Sequence, residues 1–187
     1  MKTIALMTVA GLAAAASAQS ISVNFAADKT QALAGETITW TVSVSHNFTD
    51  ATAYFGGFVG DWNASDSSLG AAGGFTSFMG GNATTPVANG ASVTGLNIFN
   101  SALLGTNNNA NPIDIFTFEV VAGAGVGDLS YGAAGTWSMF PNSGIFTLPT
   151  TFTAPALTSD SVAINVPAPG ALALVGLGGL AAARRRR

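Results

Sequence analysis

Cysteine is missing altogether, histidine occurs once, and only 8% of the 187 residues carry charge. No disulfide can form, so the fold must rest on packing alone. One histidine and no cysteine leave zinc without its usual ligands. Positive charge is scarcer still. Lys2 and Arg184, Arg185, Arg186 and Arg187 sit at the two ends, and Lys29 is the only cation between them. The same central region holds all nine acids, so its net charge is −8 against −3 for the whole chain. A body so poor in cations cannot neutralise phosphates, which excludes nucleic acid as a partner. Anionic lipid head groups would repel it as well. Sustained helical spacing is also lacking between the ends, which argues against a helical body.

The beginning of the chain has the three parts of a secretory signal. Lys2 supplies the positive start, residues 4–16 are apolar, and Ala16, Ser17 and Ala18 form a small-x-small cleavage site ahead of Gln19. Residues 1–18 are therefore expected to be removed by signal peptidase, leaving Gln19 as the new N-terminus.

The far end has its own three-part order. Val166, Pro167, Ala168, Pro169 and Gly170 make a turn-like opening; residues 170–183 have no polar side chain; four arginines close the chain. As a helix the apolar run would cover roughly 21 Å at about 1.5 Å per residue. That is short for a free-standing span, although snorkelling arginines help it fit. The arginines also place this end in the cytoplasm by the positive-inside rule. Residues 166–187 together resemble the PEP-CTERM sorting signal of Gram-negative bacteria that make extracellular polysaccharide. Ala168 stands where that family usually carries Glu. The resemblance implies a membrane anchor that is temporary. An exosortase-type enzyme would recognise the chain near Pro167 and Pro169 and remove the helix, and the cargo would pass to the envelope, surface or matrix.

Between the two ends the pattern is that of strands. Residues 21–25 and 37–45 alternate apolar and polar, the second most clearly: Ile38, Trp40, Val42 and Val44 against Thr37, Thr39, Thr41, Ser43 and Ser45. Further strands are expected at 52–59, 75–79, 92–99, 113–121, 129–137, 144–152 and 157–166. In 113–121, Phe116, Phe118 and Val120 share one face, with Ile115, Thr117, Glu119 and Val121 on the other. The stretches 28–35, 60–74, 82–90 and 106–112 read as connections. Short strands between Gly, Pro and Asn turns predict one all-β domain over 19–165, a β-sandwich. Its opening, AGETITWTVSVS at 34–45, resembles bacterial immunoglobulin-like and cohesin-like sandwiches.

Four constellations carry possible chemistry. His46 offers a base for nucleophilic catalysis, but no Gly-x-Ser-x-Gly motif accompanies it, and the bland reading is a solvated strand end. Asp61, Asn63, Ser65 and Asp66 space oxygens like the start of a calcium loop. The pattern then breaks, with Asp66 at the glycine position and Ala72 at the bidentate-glutamate position; an Asx turn explains the stretch equally well. Tyr54, Trp62, Tyr131 and Trp137 would suit a sugar-stacking strip if exposed, and core packing if not. Asn47, Asn63 and Asn82 begin glycosylation-type triplets, which arise by chance in so Asn-, Ser- and Thr-rich a chain. No pair of acids is marked as a glycosidase pair. The sequence thus predicts an exported, non-enzymatic surface or matrix protein associated with exopolysaccharide, needing no cofactor. A carbohydrate-binding module using its aromatics is the alternative.

Overall fold

The computed structural model describes residues 19–82, 84–100, 109–142 and 148–166. The signal helix, the apolar tail helix and the arginines lie outside the described residues, as do Pro167, Ala168, Pro169 and Gly170 of the sorting motif.

Fourteen strands follow one another among the described residues: β1 Ile21–Ala27, β2 Gln31–Leu33, β3 Thr37–His46, β4 Tyr54–Ala64, β5 Gly70–Ser77, β6 Gly80–Asn82, β7 Val87–Asn89, β8 Ser92–Asn100, β9 Ile113–Ala122, β10 Gly127–Leu129, β11 Tyr131–Phe140, β12 Thr150–Phe152, β13 Ala156–Ser159 and β14 Val162–Asn165. A single 3₁₀ turn, Ser67–Leu69, interrupts them. The strands form a five-stranded sheet in the order β13-β1-β3-β9-β5 and a six-stranded path β12-β11-β4-β8 that splits at β8 to pair both β6 and β7. A small third sheet, β10-β14-β2, adjoins them through its sequence neighbours: β2 runs on into β3, and β10 into β11.

The alternation in β3 explains the packing. Ile38, Trp40, Val42 and Val44 are fully buried while the hydroxyl residues between them face outward. Rings from both large sheets meet in the middle: Trp62 packs edge-on to Phe25 at 5.8 Å and to Phe116 at 4.9 Å. Trp40, from the five-stranded sheet, meets Tyr131 of β11 at 4.8 Å. Burial of this many rings supplies the driving force that disulfides would otherwise supplement.

Several expected boundaries move. In β9 the register slips between Val42 and Ser43 of β3, so Phe116 pairs with Val42 but Asp114 pairs with Ser43. Ile115 is left as the extra residue of a bulge and turns inward beside Phe116, not outward as strict alternation required. The span 60–74 is not one loop, because β4 continues to Ala64 and β5 starts at Gly70. The connections at 28–35 and 82–90 hold the short strands β2 and β7. The expected strand at 157–166 is two strands in different sheets. Asp160 breaks it: its N–H donates to the Phe25 carbonyl and its carboxylate accepts the Ala27 N–H at 2.9 Å.

Two parallel pairings fix where the chain ends emerge. β13 runs parallel to β1, and β14 runs parallel to β2. Ile21 pairs with His46 at the far end of β3, whereas Asn165 pairs with Leu33 beside the start of β3. The N-terminal and C-terminal exits therefore occupy opposite poles. The ten residues of β3 separate them by roughly 30 Å at about 3.4 Å per residue.

Candidate functional site

At the N-terminal pole, three separated segments enclose an open cavity of about 400 Å³. Ser20 and Ser22 come from the start of the chain, Ser45 and His46 from the end of β3, and Phe152 and Pro155 from the approach to β13. The β1–β13 pairing brings the last segment to the first. One wall is apolar and the other is hydroxyl-bearing.

His46 is tightly held. Asn111 brackets its backbone, its Oδ1 accepting the His46 N–H at 3.0 Å and its Nδ2 donating to the His46 carbonyl at 2.8 Å. The ring lies edge-on to Phe48, and Nδ1 accepts the Phe48 N–H at 3.3 Å. That acceptor role puts the ring proton on Nε2, which is buried and has no hydrogen-bond partner. Burial lowers the His46 pKa from its ordinary value. Half-buried and neutral, His46 is not the solvated strand end expected from sequence. The Ser45 hydroxyl beside it is hydrogen-bonded to the Ser22 hydroxyl at 2.7 Å. No carboxylate is among the described residues lining the cavity. Those residues offer hydrogen bonds and an apolar wall, and none of them is an acid of the kind that orients an imidazole base.

The spacing that suggests calcium falls on a strand and a turn, not on one loop. Asp61 and Asn63 belong to β4, whose extended backbone spreads alternate oxygens along a line instead of wrapping them around an ion. Asp61 accepts the Gly95 N–H at 2.8 Å. The Ser65 hydroxyl donates to the Asp128 carbonyl and accepts the Ser130 N–H. Asp66 caps the 3₁₀ turn, accepting from the Ser68 hydroxyl and N–H, and those bonds lower its pKa. No cluster of three potential acidic, histidine or cysteine ligands occurs among the described residues.

The sugar-stacking strip is corrected by burial. Trp62 and Trp137 are 0% exposed, and Tyr131 is 5% exposed with its hydroxyl donating to the Ala91 carbonyl at 2.6 Å. Burial raises the Tyr131 pKa. Tyr54 is half-buried and stacked on Phe140 at 4.8 Å. Trp62, Tyr131 and Trp137 face the core because β4 and β11 direct those positions inward, whereas Tyr54, next to buried Phe55, lies with Phe140 on the other face of the sheet. Neither Asn111 nor the Ser22–Ser45 pair is marked in the sequence: Asn111 belongs to an Asn-rich run that reads as loop, and the two serines are 23 positions apart.

At the opposite pole, β14 hands the chain to the sorting motif without a spacer. Asn165 is still paired with Leu33, and its carbonyl accepts the Ala34 N–H at 3.3 Å. Val166 is the next residue and is 42% exposed.

Residues 165–187 match the model of the PEP-CTERM protein-sorting motif. The motif marks an exported chain with a membrane-anchored C-terminal sorting step and processing by an exosortase. No curated protein matches the chain. Solved structures similar to it are cohesins. The seventh ScaB type I cohesin of Pseudobacteroides cellulosolvens is similar at a TM-score of 0.55 and 13% identity, over 80% of this chain and 95% of that one. The cohesin module of a Clostridium perfringens family 33 glycoside hydrolase gives 0.53 and 12%, over 80% and 99%. A cohesin solved as the Coh-OlpA-Doc918 cohesin–dockerin complex from Clostridium thermocellum gives 0.52 and 14%, over 77% and 99%. At these identities the likeness establishes a cohesin-like sandwich fold.

Proposed function

We propose that this is an exported, non-enzymatic protein of the cell surface or extracellular matrix that associates with exopolysaccharide once its tail has been processed. The observation that carries the reading is the sorting motif at 165–187, joined directly to the last strand of a self-contained sandwich. The side chains first considered for chemistry support it, because Asp61, Ser65 and Asp66 are engaged with neighbouring backbone groups. The five-stranded sheet turns Thr39, Thr41, Ser43 and Ser45 outward on β3, a hydroxyl surface suited to hydrated polymers. A second reading, a protein-binding module, is favoured by the cohesin-like fold, since one similar cohesin is in complex with a dockerin.

The test is fractionation of native-host cells producing either the full chain or a chain lacking 166–187. The full chain is expected in the polysaccharide-bearing surface fraction, and the truncated chain in the periplasm or medium. Identical distribution of the two would refute the reading. Capture of the body by a single host protein, with none by purified polysaccharide, would favour the second.

A further inference from the structure

We propose that, while the tail holds the chain in the membrane, the C-terminal pole of the sandwich lies directly on the lipid surface and the His46 cavity faces away from it. The inference rests on the anchoring role of the tail given above.

Four exposed aliphatic side chains belong to this pole: Leu33 at 44%, Val121 at 45%, Val126 at 73% and Val166 at 42% exposure. Leu33 pairs with Asn165, and Val126 precedes Gly127, which pairs with Ile164. Leu33, Asn165 and Val126 thus share one row across the third sheet. Val121 stands opposite Thr37, and its neighbour Ala122 exchanges backbone hydrogen bonds with Gly35 and Glu36. Single exposed apolar residues are ordinary, whereas a group of them around one chain exit marks an interaction surface.

The occupant follows from where the chain goes next. Residue 170 begins an apolar run that ends at 183, and only Pro167, Ala168 and Pro169 stand between Val166 and that run. Three residues reach at most about 11 Å when fully extended. A tail inserted in lipid therefore draws the pole to the interface, where the four side chains leave water. Asp28 and Glu36 share the pole with Lys29, whose ammonium donates to the Thr37 carbonyl at 2.6 Å, so the contact is aliphatic more than electrostatic. The cavity lies at the other end of β3 and looks outward, unobstructed by the membrane.

The test uses exported protein with its tail intact, purified from a host lacking the processing enzyme and reconstituted into phosphatidylcholine vesicles. With no native cysteine to compete, Val126→Cys or Phe78→Cys takes a single environment-sensitive fluorophore. Phe78 is exposed at the cavity pole, beside the start of β9. The label at position 126 is expected to shift to the blue and to be quenched by spin-labelled lipid; the label at 78 is expected to do neither. A flexible linker of about ten residues after Val166, spanning roughly 17 Å, should abolish the shift while the protein still floats with the vesicles. A water-like label at 126 on floating protein would overturn the docking and leave the sorting reading intact. Failure to float would overturn both.

Discussion

Trp62 shows how much a single side chain's orientation decides. On an alternating strand it had two faces to choose from, and β4 turns it into the core among Phe25, Phe58, Phe116 and Phe118. Trp62→Ala is expected to cost about 3–5 kcal/mol of stability, the range for emptying an aromatic core site. Chemical denaturation would measure it. Trp62→Phe should cost less, since the indole N–H that it removes has no acceptor. His46 gives a second residue-scale expectation. Its pKa is lower in the folded protein than in the unfolded chain, so the unfolded chain binds the proton more readily. The full contribution is present above about pH 6.5, the unfolded value. It is lost as pH falls from there through the lowered folded value. Thermal midpoints recorded from pH 7 to 5 should fall less steeply for His46→Gln than for the native protein. Equal slopes would show that His46 titrates alike in both states.

At the scale of elements, legibility followed regularity. β3 was readable because nine successive positions alternate without a break, and every apolar one is buried. β9 was readable in place but not in phase, because a bulge is set by the partner strand and leaves no mark in its own sequence. Three-residue strands such as β2, β7 and β10 exist only because a neighbour pairs with them, and three residues carry no period. The Asn89–Gly90 step lies inside the stretch 82–90, which reads in the sequence as one connection. Gly90 has φ +60° and closes the β7–β8 hairpin, and a Cβ there would overlap the Ser67 carbonyl oxygen. Gly90→Ala is expected to destabilise the protein by about 1–3 kcal/mol, the usual cost of a strained left-handed residue. A shift of the urea midpoint reports it; no shift would mean that the turn relaxes freely.

The whole molecule is organised by its two poles. Parallel pairing of the last strands with the first sends the two chain ends out in opposite directions, a consequence of topology that no local pattern announces. The cavity needed the same information, since its walls come from residues about 130 positions apart. The sorting motif needed none of it: it is linear, sits at the C-terminal end, and was legible in full. Fold class and the C-terminal sorting signal were therefore open to the sequence, whereas the cavity and the placement of the chain exits at opposite poles were not.

Intact-mass spectrometry of the exported protein from its native host tests the central claim, processing at both ends, most directly. The expected product begins at Gln19 and ends near Pro167, Ala168 or Pro169. An exported form that still carries Arg187 would contradict it.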